Sequence, residues 1–126
     1  MRKNEYSSLQ EFIEEYDGKE YKDHQSFMGI EFTYHGIYYR MCAEPLYFGD
    51  GHGHMLPVDF PTLPDGRKGR YDVVIVHWKD KWFGECDYEL VGWYADLDDV
   101  LKNCKIEGRP FSDVIMDDET EIIGKD

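Results

Sequence analysis

An alternating pattern of apolar residues over 27–44 constrains the fold more than any other feature of this chain. Every second residue is apolar on each side of the dipeptide His35-Gly36: Met28, Ile30, Phe32 and Tyr34 before it, and Ile37, Tyr39, Met41 and Ala43 after it. A period of two is typical of strands with one buried face, and a two-residue loop joins antiparallel strands. The register places Tyr34 opposite Ile37 and Glu31 opposite Arg40, and a slip by one residue would reverse every side chain. The segment 27–44 therefore predicts a β-hairpin.

Two more strands are predicted over residues 71–94. The run YDVVIVHW at 71–78 is the most apolar in the chain and is rich in β-branched residues, as in a central strand. The run CDYELVGWY at 86–94 alternates again. Because strands joined by short links are usually neighbours, the two hairpins form a meander. We expect an α+β fold with an antiparallel sheet of four to five strands.

Helices are predicted towards both ends of the chain. Apolar residues recur at the i, i+3, i+4, i+7 spacing over 8–17 and over 96–104, so each segment has one apolar stripe. Asp96 suits the N-cap of the second helix, and Ser112 suits the N-cap of a short third helix over 112–117. Since each stripe needs a partner surface, we expect the N- and C-terminal helices to pack on one face of the sheet.

The connection 45–70 differs in composition from the rest of a single domain spanning 1–126. It holds four of the five prolines and five of the twelve glycines. Such a long connection is either an irregular functional loop or an apolar segment packed on the sheet, able to add a strand. Residues 117–126 form an acidic tail, in which Ile122 and Ile123 favour docking against the domain.

Charge and composition exclude several classes of function. The excess of 27 acidic over 14 basic residues gives a net charge of −13, which disfavours binding to a nucleic-acid backbone. No apolar run approaches the roughly 20 residues that span a bilayer, and the N-terminal residues lack the apolar stretch of a signal peptide. Cys42, Cys86 and Cys104 are too few and too far apart for a disulfide framework or a zinc ribbon. We expect a cytoplasmic protein with no membrane segment.

The negative charge is concentrated towards the C-terminus, where residues 95–126 carry −6, with ten acidic against four basic residues. We expect an interaction surface of acidic and aromatic side chains: Asp96, Asp98, Asp99, Asp113, Asp117, Asp118, Glu119, Glu121, Trp82 and Trp93. Aromatic residues on the sheet face away from the helices, Tyr38 and Trp78 among them, can anchor the same interface. Such a field attracts a basic protein partner and accelerates its association.

The leading interpretation is a small acidic macromolecule-binding protein that covers a basic surface of its partner as a stoichiometric inhibitor. In size and charge the chain resembles toxin-immunity proteins, antitoxins and phage-encoded inhibitors, although no motif identifies any of these families. The resemblance implies binding rather than catalysis. A second non-enzymatic interpretation is an accessory homodimeric domain.

A loop with two histidines supports the alternative interpretation, a metal-binding protein or metal-dependent enzyme. In Gly49–His54, an extended chain would place His52 and His54 on the same side, with Asp50 as a third ligand of a divalent ion. The His-x-His spacing resembles that of cupin metal sites, although the flanking glycines favour a loop over a strand. The sequence contains no serine nucleophile elbow, phosphate-binding loop or dinucleotide fingerprint, so no other cofactor is expected.

Overall fold

The computed structural model describes residues 3–17, 28–80 and 85–125. The helices in these ranges are α1 (Leu9–Asp17), α2 (Leu97–Asn103) and α3 (Phe111–Ile115). The strands are β1 (Met28–Tyr34), β2 (Ile37–Ala43), β3 (Tyr47–Gly49), β4 (Met55–Pro57), β5 (Tyr71–Asp80), β6 (Glu85–Tyr94), β7 (Lys105–Ile106), β8 (Arg109–Pro110) and β9 (Glu121–Lys125). Of the helices in the described ranges, none is long and apolar enough to cross a bilayer.

Five strands form one antiparallel sheet in the order β6-β5-β2-β1-β9. The predicted α+β class, with an antiparallel sheet of four to five strands, is therefore confirmed. The fifth strand, β9, lies within the segment that we interpreted as an acidic tail. It pairs with β1 because Ile122 lies opposite Phe32 and packs against the core.

The register of the first hairpin is confirmed in full. Tyr34 pairs with Ile37, and Glu31 pairs with Arg40. The turn residues His35 and Gly36 have φ angles of 51° and 78°. Two consecutive positive φ values are those of the tight turn whose twist matches that of paired strands, which is why a two-residue loop suffices here.

Buried side chains on one face of the sheet, here called the inner face, form the hydrophobic core. The strand members alternate along β1, β2 and β5: Ile30, Phe32, Tyr34, Tyr39, Met41, Ala43, Tyr71 and Val73. The same buried cluster contains Phe12 of α1, Val100 of α2 and Phe111 of α3. Since a large apolar side chain contributes about 1.5–3 kcal/mol when fully buried, this cluster is the main source of stability.

The two C-terminal helices begin differently. The prediction that Asp96 is the N-cap of α2 is confirmed, because its carboxylate accepts the backbone N–H of Asp99 at 2.8 Å. The prediction that Ser112 caps α3 is wrong: the helix already begins at Phe111, and its N-cap is Pro110, which offers no side-chain hydrogen bond. The short hairpin β7–β8 leads the chain directly into α3, so no capping side chain is needed to set its start.

The connection 45–70 contains the small hairpin β3–β4 and then returns across one end of the sheet. Thr62 and Lys68 form an isolated bridge after the hairpin. Gly69 lies so close to Trp93 that a Cβ at position 69 would stand 2.9 Å from the Trp93 Cβ. A glycine is therefore required where the returning segment, residues 58–69, meets β6.

Candidate functional site

The outer face of the sheet, opposite the core, has two ends of different character. Its members follow from strand alternation and register: Tyr38, Arg40 and Cys42 of β2; Asp72, Val74, Val76 and Trp78 of β5; and Cys86, Tyr88, Leu90 and Trp93 of β6. A bulge in β6 keeps both Leu90 and Trp93 on this face despite their odd spacing. We call Tyr38, Arg40, Trp78, Tyr88 and Leu90 the open end. Cys42, Glu44, Asp72 and Trp93 are the covered end.

The open end exposes large apolar side chains on two paired strands. The exposed fractions are 49% for Trp78, 54% for Tyr88 and 53% for Leu90, although each is large enough to belong in a core. The ring of Tyr38 meets Trp78 edge to face at 5.7 Å, and the Arg40 guanidinium lies 4.9 Å from the centre of the Tyr88 ring. These contacts join the side chains in two pairs, and the register of β2, β5 and β6 places both pairs and Leu90 side by side on one face.

Acidic side chains border the open end. The Tyr38 hydroxyl donates a hydrogen bond to Glu31 at 2.8 Å. On β6, exposed Asp87 and Glu89 alternate with Tyr88 and Leu90, so they point to the opposite face of the sheet, where Glu89 lies 3.1 Å from the His77 ring nitrogen. Because β6 is an edge strand, these carboxylates lie along the sheet edge next to the open end, and Glu31 is the carboxylate that shares its face.

The covered end contains a buried cluster of polar side chains. Asp72 lies between Cys42 of β2 and Trp93 of β6 in the sheet register. Potential ligand atoms of Cys42, Glu44 and Asp72 all lie within 4.8 Å of one another. Burial, followed by the hydrogen bond and the charge of Glu44, raises the pKa of Asp72 from 3.8 to about 7, and Arg40 counteracts this.

A cavity of about 220 Å³ adjoins this cluster. Glu44 belongs to both, and Trp93 also lines the cavity. The remaining wall comes from the returning segment: Val58, Asp59, Phe60 and Pro61, with Pro45. The returning segment thus lies against the covered end.

Several of the acidic residues that we expected to form an interaction surface have partners inside the chain, among them Asp98, which lies 3.0 Å from Lys102, and Glu119, which lies 3.8 Å from Lys3. Asp99 is buried and accepts hydrogen bonds from the backbone N–H of Ala95 and the Asn103 amide. Arg67 lies 3.5 Å from Asp96 and 3.6 Å from Asp99. These two aspartates therefore start α2 and hold the returning segment in place.

Asp117 also has an internal partner. The Arg109 guanidinium donates to it at 2.6 Å and holds the pKa of its carboxyl below the usual value. The other expected members are exposed: Asp98, Asp113, Asp118, Glu119 and Glu121. Of the two expected tryptophans, Trp93 is half-buried at the covered end and Trp82 lies outside the described residues.

The structure brings two of the three predicted metal ligands of the histidine loop together. His54 Nδ1 lies 2.9 Å from Asp50 Oδ2, and Asp50 also accepts the backbone N–H groups of His52 and His54. These hydrogen bonds, that from His52 first, lower the pKa of Asp50. The carboxylate therefore organises the turn, and metal binding by Asp50, His52 and His54 stays a prediction.

The hairpin β3–β4 carries a second exposed apolar surface. Five of its residues and neighbours are 37–50% exposed: Leu46, Tyr47, Phe48, Met55 and Leu56. The sequence left open whether this segment packs on the sheet or forms a loop. In the structure its strands pair only with each other among the described residues.

Sequence reasoning missed the polar cluster of the covered end. Nothing in the sequence distinguishes Glu44 from the other carboxylates of the predicted strands, and the spacing of the cysteines only excludes Cys42 from a disulfide framework or a zinc ribbon. The cluster depends on the pairing of Cys42 with Asp72, which joins strands separated by the connection 45–70. The one local signal is Asp72 itself, the acidic residue within the apolar run 71–78.

No protein-family model, curated protein or solved structure matches this chain. Its function therefore has to be inferred from its own residues.

Proposed function

We propose that this protein is a stoichiometric binding module that covers a basic surface of a protein partner with the open end of its outer face. The observation that carries the proposal is the contiguous exposed surface of Trp78, Tyr88 and Leu90. We infer that the helices cover the inner face, because all three contribute to its buried cluster. The outer face is then the side of the sheet that remains for a partner.

The composition of the open end is that of an interface centre. Tryptophan, tyrosine and arginine dominate the binding energy of protein interfaces, and the open end contains all three. Their positions on paired strands and their mutual ring contacts restrict their motion before binding, so less entropy is lost when a partner docks. The apolar hairpin β3–β4 offers comparable exposure but lacks both tryptophan and arginine.

Charge complementarity favours a basic partner over a second copy of this chain. Each copy carries −13, and Glu31 lies at the open end, where it accepts a hydrogen bond from Tyr38. Docking two open ends would bring like charges together, which costs several kcal/mol. The exposed acidic residues Asp98, Asp113 and Glu119 add to the field that steers a basic protein towards the molecule.

The thiols support a cytoplasmic location for this binding module. Cys42 and Cys104 are buried, and neither forms a disulfide. A reducing compartment keeps thiols in that state.

The test is affinity capture of partner proteins at low salt. It compares variants whose substituted side chains are exposed to a similar degree. Tagged wild type should retain a basic protein of pI above about 9. The double variant Tyr88→Ser/Leu90→Ser should lose it, since the variant removes the apolar surface without changing charge. Ile123→Ser is the matched control, because Ile123 is 48% exposed on β9, at the other edge of the sheet, and should retain the same protein.

A salt series on the purified complex completes the test. Affinity should fall steeply with rising salt, and Asp87→Asn/Glu89→Gln should flatten that dependence. Capture of the same proteins by the wild type and the Tyr88→Ser/Leu90→Ser variant would contradict the proposal, as would partners without a basic surface. A dimer that forms at micromolar concentration through the open end would support the homodimeric alternative instead.

A further inference from the structure

We propose that Cys42, Glu44 and Asp72 form a binding site for one zinc-class divalent metal ion at the covered end of the outer face. The site is distinct from the histidine loop, and it does not rest on the proposed binding of a basic partner.

The geometry places three potential ligands at one point. Their ligand atoms lie within 4.8 Å of one another. Oxygen and sulfur atoms bound tetrahedrally to one zinc ion at about 2.0–2.3 Å lie roughly 3.3–3.8 Å apart. Side-chain shifts of about 1 Å therefore close the cluster around an ion. Two ligands are fixed by the sheet, because Cys42 and Asp72 are directly paired residues of β2 and β5.

An unsatisfied buried oxygen points to a missing partner in the cluster. Asp72 is 8% exposed, and among the described residues its Oδ1 is buried with no hydrogen-bond partner. An acceptor left in this state costs about 1–3 kcal/mol, and more when it is charged. A metal ion bound at Oδ1 would remove that penalty.

The charges balance when an ion is present. A Cys42 thiolate and two carboxylates sum to three negative charges, and a divalent cation with the neighbouring Arg40 guanidinium sums to three positive charges. Arg40 lies 3.7 Å from Glu44, so it belongs to the same neighbourhood.

The ligand set selects the kind of metal. One thiolate with two carboxylates suits zinc and related transition metals, whereas calcium requires six to eight oxygen ligands. Three protein ligands leave the fourth tetrahedral position open, as in catalytic zinc sites. The cavity of about 220 Å³ adjoins Glu44 and provides room for a water molecule or a small ligand at that position.

Cobalt(II) provides a direct test, because a thiolate ligand gives a sulfur-to-cobalt charge-transfer absorption. Metal-free protein should bind one equivalent of Co²⁺ with this absorption, and Zn²⁺ should displace it. Cys42→Ser should abolish the absorption, and Asp72→Asn should weaken binding of Zn²⁺ by at least about tenfold. Cys86→Ser is the matched control, because Cys86 also lies on the outer face and is half-buried, yet is not in the cluster.

A histidine double variant distinguishes this site from the loop at Gly49–His54. His52→Ala/His54→Ala should leave the cobalt spectrum unchanged, and loss of the single equivalent in that variant would move the site to the loop and overturn the proposal. If the wild-type protein shows no thiolate-to-cobalt absorption on addition of Co²⁺, the proposed site is also overturned. This result does not depend on whether the Asp72→Asn variant folds. Retention of the absorption in Cys42→Ser would have the same meaning.

Discussion

The two ends of the outer face are built on the same strands, yet they bury different amounts of surface. At the open end, Trp78, Tyr88 and Leu90 are about half exposed, whereas at the covered end Cys42 and Asp72 are 2% and 8% exposed. The returning segment approaches Trp93 closely at Gly69, and its residues 58–61 line a cavity together with Glu44 and Trp93 at the covered end. On this one sheet face, large apolar side chains are exposed at the open end, and polar side chains are buried at the covered end. This difference in burial is why we propose a separate binding role for each end.

Truncation of the largest buried side chain of the returning segment should have the greatest effect on the stability of the protein. Phe60 is 9% exposed, and Phe60→Ala should lower the free energy of unfolding by about 3 kcal/mol in urea titrations. Phe48→Ala is the control: Phe48 is 50% exposed on β3, and its loss should change stability by no more than about 0.5 kcal/mol. Similar losses in both variants would mean that the segment does not cover this end as described.

The buried carboxyl of the covered end should make stability depend on pH in an unusual direction. The pKa of Asp72 is about 7 in the folded protein against 3.8 for the ordinary group, so the folded state retains a proton that the unfolded state releases. Raising the pH from about 4 to 7 therefore favours unfolding, and above 7 the effect is complete.

We expect Asp72→Asn to abolish this loss of stability with rising pH. The free energy of unfolding of the variant, relative to that of wild type, should therefore increase by about 2 kcal/mol between pH 4 and 7. Both proteins are measured with a chelator present. Glu44 and Cys42 also face Asp72, as does the counteracting Arg40, so Glu89→Gln on β6 is the control for general charge effects. A constant difference between Asp72→Asn and wild type from pH 4 to 7 would contradict the assignment.

A smaller effect is expected where the returning segment touches β6. Gly69→Ala places a Cβ 2.9 Å from the Trp93 Cβ and 3.1 Å from a Leu63 methyl carbon, and should cost about 1–2 kcal/mol as the segment shifts. Gly49→Ala is the matched control, since no heavy atom lies within 4 Å of a Cβ there. Thermal unfolding of the two variants distinguishes a steric clash at position 69 from a general effect of replacing glycine. Equal melting temperatures would argue against close packing of the returning segment on Trp93.

Substitutions at the open end should have the smallest effect on stability and a large effect on binding. Tyr88→Ser and Leu90→Ser should each change the free energy of unfolding by about 0.5 kcal/mol or less, since each side chain is about half exposed. The affinity for the captured partner should fall at least tenfold by calorimetry. Destabilisation by more than about 2 kcal/mol would indicate that this end is structural.

Local patterns predicted the elements of this fold better than they predicted its surfaces. The first hairpin could be derived to the residue, because alternation and the turn at His35-Gly36 both act over short distances. The strand β9 could not, because only the pairing of Ile122 with Phe32 reveals it, and these two residues are far apart in the sequence.

The candidate site shows the same limit. Tyr38 and Trp78 could be placed on the face away from the core from alternation alone, and they meet there. Two members of the expected acidic surface, Asp96 and Asp99, instead lie near Arg67. No sequence pattern predicts this contact, because Arg67 belongs to the long connection 45–70. The polar cluster of the covered end likewise depends on which strand β2 pairs with after that connection.

Radical footprinting of the complex with the captured partner can show which surface of this protein the partner covers. Hydroxyl radicals oxidise exposed aromatic and aliphatic side chains, so a docked partner protects those that it covers. We expect oxidation of Trp78, Tyr88 and Leu90 to fall strongly in the complex, while Phe48, Leu56 and Ile123, which are exposed to a similar degree, react as in the free protein. Protection of Phe48 and Leu56 with continued oxidation of Trp78, Tyr88 and Leu90 would contradict the proposed interface and place it on the hairpin β3–β4.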